Sequence, residues 1–219
     1  RRTDSMTAVW ENAPLALLRR YGRTPRADLR STLLSMGMAD GAQYLIREYA
    51  LPLRPEDYFG VMRSVIAELY ETVELKPGVR EMLAGLKARG YRIGVISNNA
   101  SLYNVFNVLE EYGIREYMED VEVSSITGYR KPHPEIFRIS MKQMQEKPEN
   151  CVYVGDTLSR DVIGSKEFGF GKAVYIQSFL SAQKDVGVVS SIQPDVTIQN
   201  MDELIPWLDS VNSEMNSKS

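Results

Sequence analysis

Residues 151–164 constrain the fold of this chain more than any other stretch. A short β-prone apolar run, residues 152–154, ends at Gly155, and a helical pattern follows it. A buried strand that leads through a Gly-Asp turn into a helix is typical of a parallel α/β sheet, which presents polar groups at the carboxyl ends of its strands.

Two carboxylates, Asp156 and Asp161, follow this predicted strand. Hard cations such as Mg²⁺ take oxygen ligands, so a carboxylate at the end of a strand is a natural metal anchor. An aspartate in this position can equally be a helix cap that accepts from the free backbone N–H groups of the first turn. Taken alone, the stretch leaves both interpretations open.

The spacing of apolar residues along the chain changes near Pro77 and Gly78. Before this point the pattern is helical, with no clear strand; after it, short apolar runs alternate with helical segments. Such alternation predicts βαβ units and a doubly wound parallel sheet, hence an α/β fold. We therefore predict an all-helical cap over residues 6–75, an α/β core over residues 76–209 and a flexible tail over residues 210–219.

Composition excludes several classes of partner. The 219-residue chain has a net charge of −3 and a pI near 5.4. This negative charge argues against nucleic acid or an anionic membrane as its main partner. No apolar run approaches the length of a membrane-spanning helix. Its one cysteine, Cys151, allows no disulfide within the chain, so we expect a cytoplasmic protein.

Polar groups also follow a second predicted strand, residues 91–96. The Ser97 hydroxyl and the backbone N–H groups after it, beginning with Asn98, suit an anion such as phosphate. Capping of the next helix by Asn99 or Ser101 explains the same residues without a ligand.

A third polar segment contains Lys131, in a loop that Pro132 and Pro134 stiffen. A positioned ammonium beside an acidic pair would stabilise charge on a transferring phosphoryl group. A solvated surface lysine is the alternative. His133, the only histidine, has no acidic partner nearby in sequence, so we expect it to be structural or at the rim.

Together and in this order, these segments resemble three motifs of the haloacid dehalogenase-like hydrolases. The matching stretches are residues 95–98, 131–137 and 154–157. The helical region before them resembles the cap that the phosphatases and β-phosphoglucomutase-like enzymes of this family carry. The resemblance covers essentially the whole chain and implies a Rossmann-like core.

For function, the resemblance implies a Mg²⁺-dependent phosphatase of small phosphorylated metabolites. Ser97 and the backbone of Asn98 would bind the phosphoryl group, and Lys131 would neutralise its charge. Asp156 would coordinate Mg²⁺, and Asp161 would support the metal or the lysine. The cap would close over the site, exclude water and set substrate choice.

The chain departs from the family in its first motif, an apolar strand that ends in Asp-x-Asp-x-Thr and supplies the covalent nucleophile. No such stretch is present, and Asp4 has no apolar strand before it. The sheet should then lack its central strand, and the chain as given should form no aspartyl-phosphate. We expect about 10–20 further residues before Arg1 in the natural protein, enough for one strand and its loop.

Two other functions remain open. A non-catalytic member of the family would keep the fold for binding or scaffolding without the nucleophile. A sugar-phosphate mutase would share every residue discussed and differ only in its cap. Haloacid dehalogenation shares the fold as well, but Asp156 indicates a metal that this reaction does not require.

Overall fold

The chain folds into two units, Arg1–Leu75 (the helical unit) and Lys76–Ser219 (the α/β unit). The structure is a computed structural model that describes residues 6–70, 74–99, 102–177, 185 and 187–217. In these residues, no helix is both long and apolar enough to cross a membrane.

The described part of the helical unit contains helices and no strand. These helices are α1 (Met6–Arg20), α2 (Leu29–Leu34), α3 (Met38–Glu48) and α4 (Pro55–Tyr70). Each contributes buried apolar side chains to one shared core, and Leu17, Leu45 and Val65 are at most 2% exposed. The predicted helical pattern before residue 75 is therefore confirmed, whereas the role of this unit as a cap stays a prediction.

The strands described in the α/β unit form two parallel sheets. One pairs β1 (Gly94–Ser97) with β2 (Asp120–Val123); the other has the order β3 (Val152–Gly155), β4 (Lys172–Ile176), β5 (Val196–Ile198). The predicted α/β class with parallel strands is confirmed. The first strand begins at Gly94 rather than Tyr91, because the Tyr91 N–H still bonds to the Leu86 carbonyl and closes the preceding helix.

Helices lie on both faces of the longer sheet. The described helices of the α/β unit are α5 (Val79–Ala88), α6 (Leu102–Glu111), α7 (Ser124–Thr127), α8 (Pro134–Met144), α9 (Gly164–Phe168) and α10 (Leu204–Asn216), with a π-helical turn at Leu158–Ile163. Along β3, Val152 and Val154 pack with side chains of α5 and α10, whereas Tyr153 packs against α8. Successive side chains of β3 point to opposite faces of the sheet and contact helices on each of them, which is the doubly wound arrangement.

The last helix is longer than predicted, and this corrects the expected flexible tail. Helix α10 runs to Asn216, so residues 210–216 are helical, while residues 218–219 lie outside the described part. This end of α10 contacts residues that follow α5: Arg89 pairs with Asp209 at 2.9 Å, and Asn212 donates to the Tyr91 hydroxyl at 2.7 Å. Of these two, the contact of Asn212 is the one that lies within residues 210–216 themselves.

Candidate active site

Lys131 lies where the carboxyl ends of β1 and β3 come together. Its backbone N–H donates to the Asn98 side-chain oxygen at 2.7 Å, and its carbonyl accepts from the Asn98 side-chain nitrogen at 3.0 Å. The Lys131–Pro132 peptide bond is cis. Because the Asn98 side chain bonds only to main-chain atoms of Lys131, it fixes the path of the loop independently of the lysine side chain.

The Lys131 ammonium is buried with two partners. Its Nζ lies 2.7 Å from Asp161 Oδ1 and 3.1 Å from the Tyr153 hydroxyl, and its side chain is 12% exposed. Burial by itself lowers the pKa of Lys131, but Tyr153 and Asp161 outweigh that effect and raise the pKa above its ordinary value. The ammonium is therefore charged throughout the neutral range.

Asp161 uses both carboxylate oxygens within the protein. Oδ1 accepts from Lys131, and Oδ2 accepts from the backbone N–H of Thr157 at 3.0 Å. The residue belongs to the π-helical turn and is buried. Of the two roles that the resemblance implies for Asp161, the observed contacts match support of the lysine; a role in metal binding stays a prediction.

Gly155 permits this arrangement. A Cβ at this position would collide with Cβ of Asp161 and lie only 2.7 Å from its Oδ2. The glycine that ends the predicted strand is thus required for close approach of the buried carboxylate.

Asp156 directly follows β3 and is half-buried. Its Oδ1 accepts from the Thr157 hydroxyl at 3.3 Å. No group of three or more His, Cys, Asp or Glu side chains suited to a metal occurs among the described residues. Mg²⁺ is usually held by one or two carboxylates, with waters and substrate phosphates completing its shell. The oxygen donors at Asp156 fit an ion of that kind.

Ser97 is the last residue of β1, and the turn after it is fixed to β2. The Ser124 hydroxyl accepts from the Asn99 N–H and donates to the Asn99 carbonyl, both at 3.1 Å. Contacts thus lead from this turn, through Asn98 and Lys131, to the turn after β3. Ser101, proposed above as a helix cap, lies outside the described residues.

Two contacts of this candidate site were not predicted from the sequence. One is the Asn98 side-chain clamp, because only its backbone was assigned a role. The other is Tyr153, which lies in the predicted apolar run of residues 152–154 but whose hydroxyl reaches Lys131. His133 has a structural contact, in which its Nδ1 accepts from the Glu135 N–H at the start of α8.

Replacing Tyr153 by phenylalanine should lower the free energy of unfolding at pH 8 by about 1.5–3 kcal/mol, the usual value of a hydrogen bond to a charged group. Burial raises the pKa of Tyr153 to about 12. A raised pKa contributes stability that is complete below the ordinary value, about 10, and is lost as the pH rises through the folded value. The deficit of Tyr153→Phe should therefore shrink between pH 10 and 12 in urea titrations.

The exposed Tyr129 provides the control for this experiment. Tyr129→Phe should leave both the stability at pH 8 and its dependence on pH close to those of the parent protein. A deficit of Tyr153→Phe that stays constant up to pH 12 would contradict the prediction.

Comparison with known proteins identifies relatives over most of the chain. A family model described as haloacid dehalogenase-like hydrolase matches residues 7–169. A glyceraldehyde 3-phosphate phosphatase from Pyrococcus furiosus is 32% identical over 146 residues, which cover 65% of this chain and 59% of that protein. A phosphoglycolate phosphatase from Nitrosococcus oceani is 30% identical over 155 residues, covering 68% of this chain and 66% of that protein. The chain thus spans less than two thirds of either relative.

Solved structures give the same fold. A HAD-hydrolase from Bacillus subtilis, solved bound to magnesium, superposes with a TM-score of 0.71. It is 18% identical, and the superposition covers 95% of this chain and 94% of that one. At this identity, the match bears on the fold alone.

Proposed function

This chain belongs to the haloacid dehalogenase-like hydrolases, and within that family we propose that it is a Mg²⁺-dependent phosphatase of small phosphorylated metabolites. The printed names of the Pyrococcus and Nitrosococcus relatives, both phosphatases of small phosphate esters, support this proposal. The absence of disulfide-forming cysteine pairs supports a cytoplasmic location.

One observation carries the proposal: a buried, charged lysine is fixed between the ends of β1 and β3, beside an acidic turn. Lys131 makes its 2.7 Å ion pair with Asp161, next to Asp156, while its backbone is held by Asn98. An ammonium fixed in advance stabilises charge that develops on a phosphoryl oxygen without any reorganisation at the moment of reaction.

The residues then have distinct roles. Ser97 and the backbone N–H of Asn98 bind phosphoryl oxygens, Lys131 neutralises their charge, and Asp161 holds the lysine in place. Asp156 would hold Mg²⁺, which polarises the phosphoryl oxygens and screens their charge when bound. In this family the attacking carboxylate belongs to the Asp-x-Asp-x-Thr motif, which residues 1–219 do not contain, and the phosphoaspartate that it forms is hydrolysed by water.

Phosphate release tests the proposal. A longer form, made by joining an apolar Asp-x-Asp-x-Thr strand to the start of the chain, should release phosphate from p-nitrophenyl phosphate and small metabolite esters with Mg²⁺, but not with EDTA. Asp156→Ala should abolish release, whereas Asp209→Ala, which removes an exposed carboxylate on α10, should not.

The absence of an Asp-x-Asp-x-Thr stretch favours a second candidate, a non-catalytic binding protein. Binding of Mg²⁺ and inorganic phosphate by the longer form, with no release from any ester, would select it over the phosphatase. Movement of phosphate between positions of a sugar, without release, would select a mutase.

A further inference from the structure

The turn that carries Asp156 and Asp161 receives a third carboxylate, Asp185, from a distant part of the chain. Both oxygens of Asp185 accept from the backbone N–H of Leu158, each at 2.9 Å. Leu158 is the first residue of the π-helical turn, and the first N–H groups of a helix have no acceptor within it. Asp185 thus supplies from 27 positions away the acceptor that a neighbouring residue usually provides.

A tyrosine of β4 holds the Asp185 carboxylate in place. The Tyr175 hydroxyl donates to Asp185 Oδ2 at 3.2 Å, and this tyrosine is only 6% exposed. In the register of the sheet, Tyr175 lies beside Gly155, the last residue of β3. The carboxylate is therefore tied to β4 through a side chain and to the turn after β3 through the backbone.

The residue in the usual capping position has another partner. Thr157 directly precedes the π-helical turn, but its side chain makes no capping hydrogen bond. Its hydroxyl donates instead to Asp156 Oδ1 at 3.3 Å. Threonine is a good N-cap, so a turn that has lost Asp185 can draw this hydroxyl back to its own N–H groups. The contact with Asp156 would then weaken.

The position of Asp156 is fixed on both sides along the main chain. Gly155 before it belongs to β3, and Leu158, two residues after it, is bound to Asp185. A carboxylate that holds a metal ion depends on such anchors, and loss of a group that orients a ligand usually lowers metal affinity by about 10–100-fold. Asp185 therefore has a direct route to the candidate metal ligand.

Another remote carboxylate makes a similar contact without any link to the candidate site. Asp195 accepts from the Ala173 N–H at 2.8 Å. It also pairs with Lys166 at 2.7 Å and with Lys172 at 3.1 Å. Ala173 lies near the amino end of β4, whereas the contacts of Asp185 lie near the carboxyl ends of β3 and β4. Asp195 thus provides a matched control for a purely structural role.

We propose that Asp185 is a positioning residue: by holding the Leu158 N–H, it fixes the turn that presents Asp156 and thereby sets the affinity of the site for its metal ion. It acts through the main chain and does not itself bind the ion. The inference rests on the proposed function in one respect, the assignment of Asp156 as the metal ligand. It gives the segment after β4 a role in the site.

The test uses the 219-residue protein and Mn²⁺, which takes the same oxygen ligands as Mg²⁺ and is followed by electron paramagnetic resonance without any turnover. Asp156→Ala should abolish binding. Asp185→Ala should weaken binding about tenfold or more. Asp195→Ala, which also leaves a backbone N–H without its acceptor, should lower the melting temperature but leave the Mn²⁺ affinity unchanged.

Two further variants separate positioning from direct binding of the ion. Asp185→Asn removes the charge but keeps an oxygen that can accept from Leu158, so its Mn²⁺ affinity should be closer to that of the parent than to that of Asp185→Ala. Tyr175→Phe leaves the contact with Leu158 in place and should cause a smaller loss. Hydrogen exchange of the Leu158 N–H should be faster in Asp185→Ala than in Asp185→Asn.

The outcomes distinguish this inference from the phosphatase. Weaker Mn²⁺ binding in Asp185→Ala, with no phosphate release by the longer form, would support the positioning role and count only against the phosphatase. Phosphate release with unchanged Mn²⁺ affinity in Asp185→Ala would do the reverse. An equal loss in Asp195→Ala, an Asp185→Asn variant no better than Asp185→Ala, or a parent protein without Mn²⁺ binding that depends on Asp156 would overturn the positioning role.

Discussion

Asp161→Ala is expected to lower the free energy of unfolding of the α/β unit by about 3–5 kcal/mol, because removing one partner leaves a buried charge uncompensated. The Lys131 and Asp161 side chains are only 12% and 5% exposed. The N–H of Thr157 loses its acceptor as well. Urea titration, followed by the fluorescence of Trp207 in α10, measures the loss.

Two variants establish that burial causes this loss. Asp209→Ala breaks an ion pair of similar length, 2.9 Å, whose partners are 41% and 49% exposed, and it should change stability little. Asp161→Leu combined with Lys131→Met removes both charges and should cost less than Asp161→Ala alone. A double variant as unstable as the single one would mean that packing, rather than the uncompensated charge, dominates.

Gly155→Ala should destabilise the α/β unit by about 1–3 kcal/mol, the usual cost of overpacking, and should also displace Asp161. The added methyl group collides with Cβ of a buried side chain that is held by Lys131 and Thr157, so the neighbour has little freedom to move. The same urea titration measures the cost, and the pH dependence of unfolding above pH 10 reports the altered surroundings of Lys131.

Gly94 in β1 is the matched control, since it too is a strand glycine of the α/β unit. A Cβ there would approach nothing closer than 3.5 Å, an ordinary contact with Sδ of Met144. Gly94→Ala should leave stability unchanged or raise it by about 0.5–1 kcal/mol, because glycine is unfavourable within a strand. Equal losses in both variants would contradict the steric account of Gly155.

The order of strands and helices in the α/β unit could be predicted because its signals are local. Apolar runs that end in polar residues place Ser97 and Asp156 at the carboxyl ends of parallel strands, and topology brings such ends to one edge. Lys131 was predicted beside them from its loop and from the family resemblance. The partners of Lys131 were harder to predict, because they depend on three-dimensional packing.

Tyr153 and Asn98 illustrate that limit. Tyr153 belongs to a predicted apolar run, and nothing in its sequence neighbours indicates that its hydroxyl lies 3.1 Å from an ammonium 22 positions earlier. The clamp by Asn98 spans 33 positions and bonds to main-chain atoms, which leave no signature in residue type. Helix α10 likewise continues into the region expected to be a flexible tail, and its contacts at this end are with Arg89 and Tyr91, which lie 120 and 121 positions away in sequence.

The clamp has a consequence for altering this protein. Because Asn98 holds position 131 by its main chain, the frame of the loop does not depend on which side chain stands there. Another cation can be exchanged for the lysine while the surrounding backbone keeps its path, whereas a neutral side chain would leave the buried Asp161 without its counter-charge. The electrostatic character of the crevice can thus be redesigned separately from its architecture.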